Sequence, residues 1–170
     1  ILALGSMPLA FTYPLMKRFT YWPQLFLGIT FNYGLILSWT SIKDQIDIIP
    51  IIFYSGAIFW TLAYDTIYGF QDIKDDEIIG VKSTSIKFKK QPKKVLFLCF
   101  LIFSISLAII GYLMNLNNIY FLFLLFTIIH IFFYQLKALD TKNTSICLKI
   151  FKSNNYLGLI IYLGLLIGAL

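Results

Sequence analysis

The chain has 170 residues, of which 59% are hydrophobic and only 13% are charged, and its formal net charge is +6. Soluble domains carry about 25% charged residues, so this composition excludes an ordinary soluble enzyme and predicts a membrane protein. The basic excess is confined to a few loops, which membrane topology explains. We therefore expect membrane lipid, and no nucleic acid, among the partners.

Six apolar stretches follow one another along the chain. They cover residues 1–16, 23–42, 48–70, 94–114, 118–136 and 156–170. The middle four approach the roughly 20 residues that cross a bilayer, and the two terminal ones are shorter. Because the hydrocarbon region offers no water to the backbone, all of them are expected to be helical. The expected fold is an all-α membrane protein of about six transmembrane helices, in a single domain over residues 1–170.

Lysine and arginine cluster in alternate connections between these stretches. Thirteen of the fourteen lie in the first, third and fifth connections, called loops one, three and five below. They are Lys17 and Arg18 in loop one; Lys74, Lys82, Lys87, Lys89, Lys90, Lys93 and Lys94 in loop three; and Lys137, Lys142, Lys149 and Lys152 in loop five. Because positive loops stay in the cytoplasm, we expect an integral protein of a bacterial inner membrane with these loops on the cytoplasmic side.

The third apolar stretch ends in an acidic segment, Tyr64–Asp76, with the sequence YDTIYGFQDIKDD. If one helix continued through it, three carboxylates and a tyrosine would share an arc of about 60°. These four are Asp65, Tyr68, Asp72 and Asp76. Carboxylates at a membrane boundary indicate a functional site, and Mg²⁺ takes one or two carboxylates together with phosphate oxygens or water. We therefore predict that Asp65, Asp72 and Asp76 bind Mg²⁺ shared with a substrate diphosphate.

Three segments carry a resemblance to a known family. In chain order they are Tyr13–Gln24 (YPLMKRFTYWPQ), Tyr64–Asp76 followed by Gly80–Ser85 (GVKSTS), and Phe151–Gly158 (FKSNNYLG). Together they resemble the UbiA superfamily of intramembrane aromatic prenyltransferases. The second segment is similar to the family's second Asp-rich motif, and the third is similar to the polar start of its last helix. The first segment is similar to the branch that prenylates 4-hydroxybenzoate.

The resemblance implies a fold and a reaction. Family members have about nine transmembrane helices around a cavity that opens to lipid, and this chain would be the C-terminal part of such a bundle. They hold Mg²⁺ and the diphosphate of a polyprenyl diphosphate donor between two Asp-rich motifs. The implied enzyme transfers the polyprenyl group to the ring carbon ortho to the hydroxyl of 4-hydroxybenzoate, in ubiquinone biosynthesis. Its catalytic carboxylates would be Asp65, Asp72 and Asp76.

The remaining site residues are assigned by charge and position. Lys17, Arg18 and Lys82 are the expected cations for the diphosphate, and either Lys17 or Arg18 could instead hold the carboxylate of 4-hydroxybenzoate. Tyr64 and Tyr68 flank Asp65 and could bind the diphosphate or face an allylic cation with their rings. Asn32 lies within an apolar stretch, where it could contact substrate or form an interhelical hydrogen bond.

The family's first motif, Asn-Asp-x-x-Asp-x-x-x-Asp, does not occur in these 170 residues. We therefore expect an N-terminally truncated domain that begins inside the fourth helix of the family and is inactive alone. Three alternatives stay open: a non-catalytic remnant, a prenyltransferase with another aromatic acceptor such as that of menaquinone synthesis, and a small transporter. A transporter would be expected to place charge near the middle of a helix, whereas the acidic residues here lie at or beyond predicted helix ends.

Four further residues have mainly structural interpretations. His130 is the only histidine and lies in a Phe-rich stretch, where a packing role is expected. Asn154 and Asn155 could cap the last helix, because asparagine side chains bind free N–H groups at helix starts, and the family resemblance also implies a role at the substrate channel. Trp60 fits an interfacial aromatic belt as well as the wall of a cavity that shields a carbocation.

Overall fold

The computed structural model describes residues 2–170, and within them the chain forms helices and short turns without any β-strand. The α-helices are α1 (Ser6–Thr12), α2 (Met16–Phe19), α3 (Pro23–Asn32), α4 (Gly34–Lys43), α5 (Ile48–Gly69), α6 (Ile73–Ile79), α7 (Thr84–Phe88), α8 (Pro92–Leu113), α9 (Asn118–Ile129), α10 (Leu136–Ala138) and α11 (Thr144–Gly168). Two 3₁₀ turns cover Leu2–Gly5 and Tyr13–Leu15, and a π-helix joins α9 to α10.

Five helical segments are long and apolar enough to cross a membrane. They are Pro23–Lys43, Ile48–Gly69, Pro92–Leu113, Asn118–Ala138 and Thr144–Gly168. The first apolar stretch instead forms a succession of short 3₁₀ and α turns up to Phe19. Pro14 contributes to this interruption, because proline has no backbone N–H to donate within a helix. The expected all-α membrane fold is confirmed, with five clear spans among the described residues.

The centre of the bundle is α5, which packs against α3, α4, α8 and α11. Its approach to α8 is close at Gly56, where an added Cβ would lie 2.6 Å from the Cβ of Ser106. Small residues at such positions let two membrane helices pack closely. Between them lies a core of fully buried side chains that includes Ile67, Phe100 and Phe103.

The last helix differs from the sequence prediction. It begins at Thr144, well before residue 156, and its N-cap is Asn143, whose side-chain oxygen accepts the Ile146 N–H at 3.2 Å. Asn154 and Asn155 therefore lie inside α11, so the prediction that they cap this helix is wrong. The lysines of the first turns interrupt the apolar pattern, yet long side chains of this kind can reach the interface from within a span.

The three basic loops meet at one end of the bundle. The backbone N–H of Lys82 in loop three donates to the carbonyl of Lys17 in loop one at 2.8 Å. The ring of Tyr68, near the end of α5, packs on Phe151 in the early part of α11, with centroids 4.7 Å apart. We call this end of the bundle, where loops one, three and five lie, the polar end.

Candidate functional site

The acidic segment is broken by a turn. Helix α5 ends at Gly69, and hydrogen bonds between residues three apart close a turn over residues 67–72. Gly69 is required there because an added Cβ would collide with Oγ of Ser85. Asp72 then begins α6, and its carbonyl accepts the Asp76 N–H at 2.8 Å. The prediction of one continuous helical face is therefore wrong: Asp72 and Asp76 share a turn, and Asp65 belongs to α5.

The folded chain still brings these carboxylates near one lysine. Lys17 and Asp72 are charged neighbours of both Asp65 and Asp76. Lys17 is exposed on α2, whereas Asp76 is 9% exposed. We call Asp65, Asp72, Asp76 and Lys17 the acidic cluster. It lies at the polar end, where an anionic ligand would meet a lysine beside carboxylates that attract metal ions.

Two carboxylates of the acidic cluster lie outside the membrane spans, and Asp76 is the more deeply buried of them. Burial raises its pKa above the ordinary value of 3.8, and the negative charges of Asp72 and Asp75 act in the same direction. The Lys17 ammonium and the Ser83 hydroxyl lower it in part. A buried carboxylate with a raised pKa costs free energy when ionised, and a bound cation would relieve that cost.

The predicted metal ligands do not form a complete protein cage. Within residues 2–170, no three His, Cys, Asp or Glu side chains converge as a group able to hold a metal ion. Asp65, Asp72 and Asp76 are therefore not the ligands of one ion in this arrangement. Mg²⁺ requires no such cage, because it is commonly held by one or two carboxylates and completes its shell with water and substrate phosphate. The carboxylates fit an ion of that kind.

The two other predicted cations differ in their surroundings. Arg18 is exposed next to Lys17 on α2. Lys82 instead donates from Nζ to the carbonyl of Phe19 at 3.3 Å and lies over the ring of Tyr21, 5.6 Å from its centroid. Its ammonium therefore caps the C-terminal end of α2, a favourable place for a cation, and fastens loop three to loop one. The structure does not direct it to the acidic cluster.

The Lys-Ser-Thr-Ser segment that follows the acidic segment is a buried connection. Thr84 Oγ1 lies 2.6 Å from Thr66 Oγ1, and Ser85 Oγ donates to the Thr66 carbonyl at 2.8 Å. The Thr84 N–H donates to Oε1 of Gln24, a residue that is 4% exposed. Sequence reasoning gave Gln24 no role, although it closes the first of the three family-like segments.

A cavity of about 310 Å³ lies between α3, α5 and α11 and is lined by polar side chains. These are Asn32, Thr61, Tyr64, Asn154 and Asn155. Asn32 is both a lining residue and an interhelical bridge, since Nδ2 donates to Thr61 Oγ1 at 2.8 Å. Tyr64 also lines this cavity and directly precedes Asp65 in the chain. Tyr68 is 38% exposed and packs beside it on Phe151.

Two more cavities adjoin this one along the bundle and share lining residues in sequence. The next, of about 290 Å³, shares Asn32, Trp60 and Gly158 with the first. The third, of about 260 Å³, shares Leu35, Phe53 and Leu165 with the second. Its lining is almost wholly apolar and includes Ile42, Ile49 and Met114. We call this series of adjoining cavities the channel; its mouth is the cavity lined by Tyr64, and the cavity at its other end is apolar.

A buried hydrogen-bond network forms one wall of the channel. Trp60 Nε1 donates to Asn154 Oδ1 at 2.9 Å, and Gln135 Nε2 bonds the same oxygen at 3.1 Å and His130 Nδ1 at 3.2 Å. Trp60 also stacks on Phe103, with centroids 5.0 Å apart. Trp60 is thus a partly buried residue whose indole lines the cavities, which favours the cavity interpretation over the interfacial belt. His130 and Gln135 delimit the π-helix, a feature often found at functional sites.

Fold and site together define an integral membrane protein in which carboxylates and a lysine lie at the end of an apolar channel. The profile of the UbiA prenyltransferase family matches residues 1–160, and the chain belongs to this family. No solved structure gives a significant match.

Curated relatives align with almost the whole chain. The mitochondrial 4-hydroxybenzoate polyprenyltransferase of Bos taurus is 42% identical, over 99% of this chain and 46% of the relative. Its Homo sapiens counterpart is 40% identical over the same shares. The 4-hydroxybenzoate octaprenyltransferase of Psychromonas ingrahamii is 38% identical, over 99% of this chain and 58% of the relative. The chain spans about half the length of the curated relatives it matches.

Proposed function

We propose that the protein containing this chain transfers a polyprenyl group from polyprenyl diphosphate to the ring carbon ortho to the hydroxyl of 4-hydroxybenzoate, in ubiquinone biosynthesis. The observation that carries the proposal is the acidic cluster at the same end of the bundle as the mouth of an apolar channel. A substrate with an anionic head and a long apolar tail matches that arrangement. The names of the relatives support the same donor and acceptor.

In this proposal the donor lies along the channel with its diphosphate at the polar end. Lys17 and Arg18 are the cations available in loop one. One would contact the diphosphate and the other the carboxylate of 4-hydroxybenzoate, and the assignment between them is open. Asn32 would contact the substrate at the channel mouth, where its side chain lines the cavity. The tail would occupy the apolar part of the channel, where burial of each CH₂ group contributes about 0.8 kcal/mol.

Mg²⁺ is the proposed cofactor, held by one or two of the carboxylates Asp65, Asp72 and Asp76, of which Asp72 and Asp76 are one helical turn apart. When bound, it would offset the negative charge that develops on the departing diphosphate. The protein's own contribution would be to hold the carboxylates in place through the buried Ser83–Ser85 connection and to supply Lys17 beside them. The raised pKa of Asp76 is consistent with a carboxylate whose ionised form needs a cation.

The proposed reaction breaks the carbon–oxygen bond of the donor, and the diphosphate leaves with the electron pair. The ring carbon of 4-hydroxybenzoate forms the new carbon–carbon bond to the allylic cation and then loses its proton. Tyr64 packs edge-on against Trp60 with centroids 5.6 Å apart, and both rings line the channel mouth. Aromatic faces attract cations, so these rings and Tyr68 would stabilise the allylic cation and keep water from it.

We further propose that the polar end faces the cytoplasm if the membrane is a bacterial inner membrane, because loops one, three and five carry the basic residues. The Bos taurus and Homo sapiens relatives are named as mitochondrial. A mitochondrial membrane is therefore the corresponding location in a eukaryotic source.

The test uses membranes from cells that express the gene encoding this chain, supplied with geranyl diphosphate, Mg²⁺ and labelled 4-hydroxybenzoate. We expect a geranylated product with the new carbon ortho to the hydroxyl. Asp72→Asn and Asp76→Asn should each reduce its formation by about 100-fold or more, because lost metal ligands cost several kcal/mol of transition-state stabilisation. Asp75→Asn is the matched control, since Asp75 is exposed on the same helix, and should stay within about threefold of wild type.

The proposal would be contradicted if the unmodified gene product left 4-hydroxybenzoate unprenylated in membranes where the protein is present and folded. Equal activity of Asp72→Asn and Asp75→Asn would instead remove the acidic cluster from the mechanism. Replacing 4-hydroxybenzoate by another aromatic acceptor in the same assay separates the reaction from that of a related prenyltransferase.

A further inference from the structure

A groove runs along the surface of the described bundle between the π-helix and α11. It consists of two adjoining cavities of about 650 and 540 Å³, both lined by His130 and Tyr134. None of its lining residues also lines the channel. The groove is therefore separate from the site described above, and its two ends differ in chemistry.

One end of the groove is basic. Lys149, Lys152 and Tyr156 line it from α11, and their spacing of three and four residues places them on one helical face. Both lysines are exposed, and no carboxylate is among the residues that line the groove. Two ammonium groups one turn apart repel each other unless an anion lies between them, so this end is suited to a negatively charged group.

The other end is apolar. Phe126, Phe133 and Ile160 line it, and the two phenylalanines are more than half exposed. Phe151, which lies between the two lysines in the sequence, packs on Tyr68 at the polar end of the bundle. The basic end of the groove therefore lies near the polar end, and the apolar end extends from it towards the middle of the bilayer.

The buried network fixes the proton of His130. Trp60 Nε1 can only donate, so the Asn154 atom facing it is Oδ1. Gln135 meets the same oxygen and must present Nε2, which also bonds His130 Nδ1. Nδ1 therefore accepts, and the ring proton is on Nε2. His130, which lines the groove, is therefore a neutral imidazole whose Nε2–H can donate a hydrogen bond.

We propose that this groove binds an anionic phospholipid. Its phosphate lies at Lys149 and Lys152 with the His130 N–H as a further donor, and one acyl chain follows Phe126 and Phe133. Basic pockets between transmembrane helices are suited to anionic head groups, and the order of charge and apolar surface along the groove matches that of a lipid crossing one leaflet. This inference rests on the membrane location of the protein and is independent of the proposed reaction.

The test places the protein in lipid nanodiscs with a trace of phospholipid that carries a photoreactive group on its acyl chain. Phosphatidylglycerol and phosphatidylcholine bearing the same group are compared, and the labelled peptides are identified by mass spectrometry. We expect at least about fivefold more labelling of the groove by phosphatidylglycerol, since lysines near a membrane surface attract anionic head groups. The variant Lys149→Gln/Lys152→Gln should remove the preference.

The matched control is Lys137→Gln/Lys142→Gln, which removes the same charge from the same loop outside the groove lining. It should retain the preference for phosphatidylglycerol. If both double variants lost the preference for phosphatidylglycerol equally, the proposal would be overturned, because the preference would then come from general surface charge. If both lipids labelled the wild-type groove equally, the proposal would also be overturned, because the groove would then bind acyl chains without selecting the head group. Competition by millimolar glycerol phosphate or by geranyl diphosphate would also overturn it, because a free phosphate or the prenyl donor would then be the ligand.

Discussion

The backbone N–H of Thr84 donates to the side-chain oxygen of Gln24 across 2.9 Å, joining loop three to the start of α3. Both residues are almost fully buried. The bond satisfies an N–H at the start of α7 that has no partner within that helix. Because Lys82, two residues earlier, also binds the backbone of loop one, the acidic cluster sits between segments that are held together at two points.

Replacing Gln24 by leucine should loosen this connection. The Thr84 N–H would remain buried without an acceptor, which costs about 1–3 kcal/mol. We expect a lower midpoint of thermal unfolding in detergent and faster proteolysis within residues 70–92. Gln45→Leu serves as the control, because Gln45 is exposed in the turn before α5. Equal stability of the two variants would show that the Gln24 bond contributes little.

The sequence allowed most of the helices to be predicted, because long apolar runs in a membrane protein have few alternatives to helix. The start of α11 was missed since Lys149 and Lys152 interrupt its apolar pattern. The turn after Gly69 was missed for another reason: the carboxylates keep helical spacing across it, and Gly69 itself packs closely against Ser85 of loop three. A tertiary contact of that kind leaves no local signal in the sequence.

The acidic cluster was predictable in composition and only partly in geometry. The approach of Lys17 to the carboxylates follows from the pairing of loops one and three, which the positive-inside pattern indicated. The network around Asn154 could not be predicted, because single polar residues inside apolar helices give no periodic pattern. Gln135 and His130 are five residues apart, and their contact uses the wider turn of the π-helix.

The Asn154 network offers a matched pair of substitutions on adjacent residues. Asn154→Leu removes the acceptor of both Trp60 Nε1 and Gln135 Nε2, and the buried groups left unpaired cost about 1–3 kcal/mol each. We expect a clear fall in the thermal unfolding midpoint and an altered emission of Trp60. In Asn155→Leu the changed side chain is exposed, so both quantities should stay near wild type. Similar effects of the two substitutions would argue against the network.

Because burial raises the pKa of Asp76, this residue should make the folded protein less stable as the pH rises. Its folded pKa is raised above 3.8, so its favourable contribution is fully present below pH 3.8 and is lost as the pH rises through the raised pKa. At pH 7 the ionised carboxylate therefore destabilises the metal-free protein. We expect Asp76→Asn, measured with a chelator present, to unfold at a higher temperature than wild type at pH 7.

That advantage of Asp76→Asn should shrink as the pH is lowered through the raised pKa of Asp76, because wild-type Asp76 then becomes protonated and uncharged as well. Asp75→Asn should show no comparable trend, since Asp75 is exposed. A gain that stayed constant across the pH range would mean that the effect of the asparagine comes from packing. Combined with loss of prenyl transfer, a stabilised Asp76→Asn would mark a position where stability is sacrificed for function.

Gly158 lies where the first and second cavities of the channel meet, and an added Cβ would stand 3.5 Å from the Trp60 ring. Leucine there would project further into the passage.

If the donor tail follows the channel, Gly158→Leu should reduce transfer from an octaprenyl donor by about tenfold or more. Each displaced isoprenoid unit loses several CH₂-sized contacts of about 0.8 kcal/mol. Transfer from geranyl diphosphate should fall much less, because its tail is much shorter and has fewer groups to displace. The ratio of the two rates is the measurement, and Gly34→Leu, at an exposed position with no atom within 4 Å of the added Cβ, is the control. An unchanged ratio in folded Gly158→Leu would place the tail outside the channel.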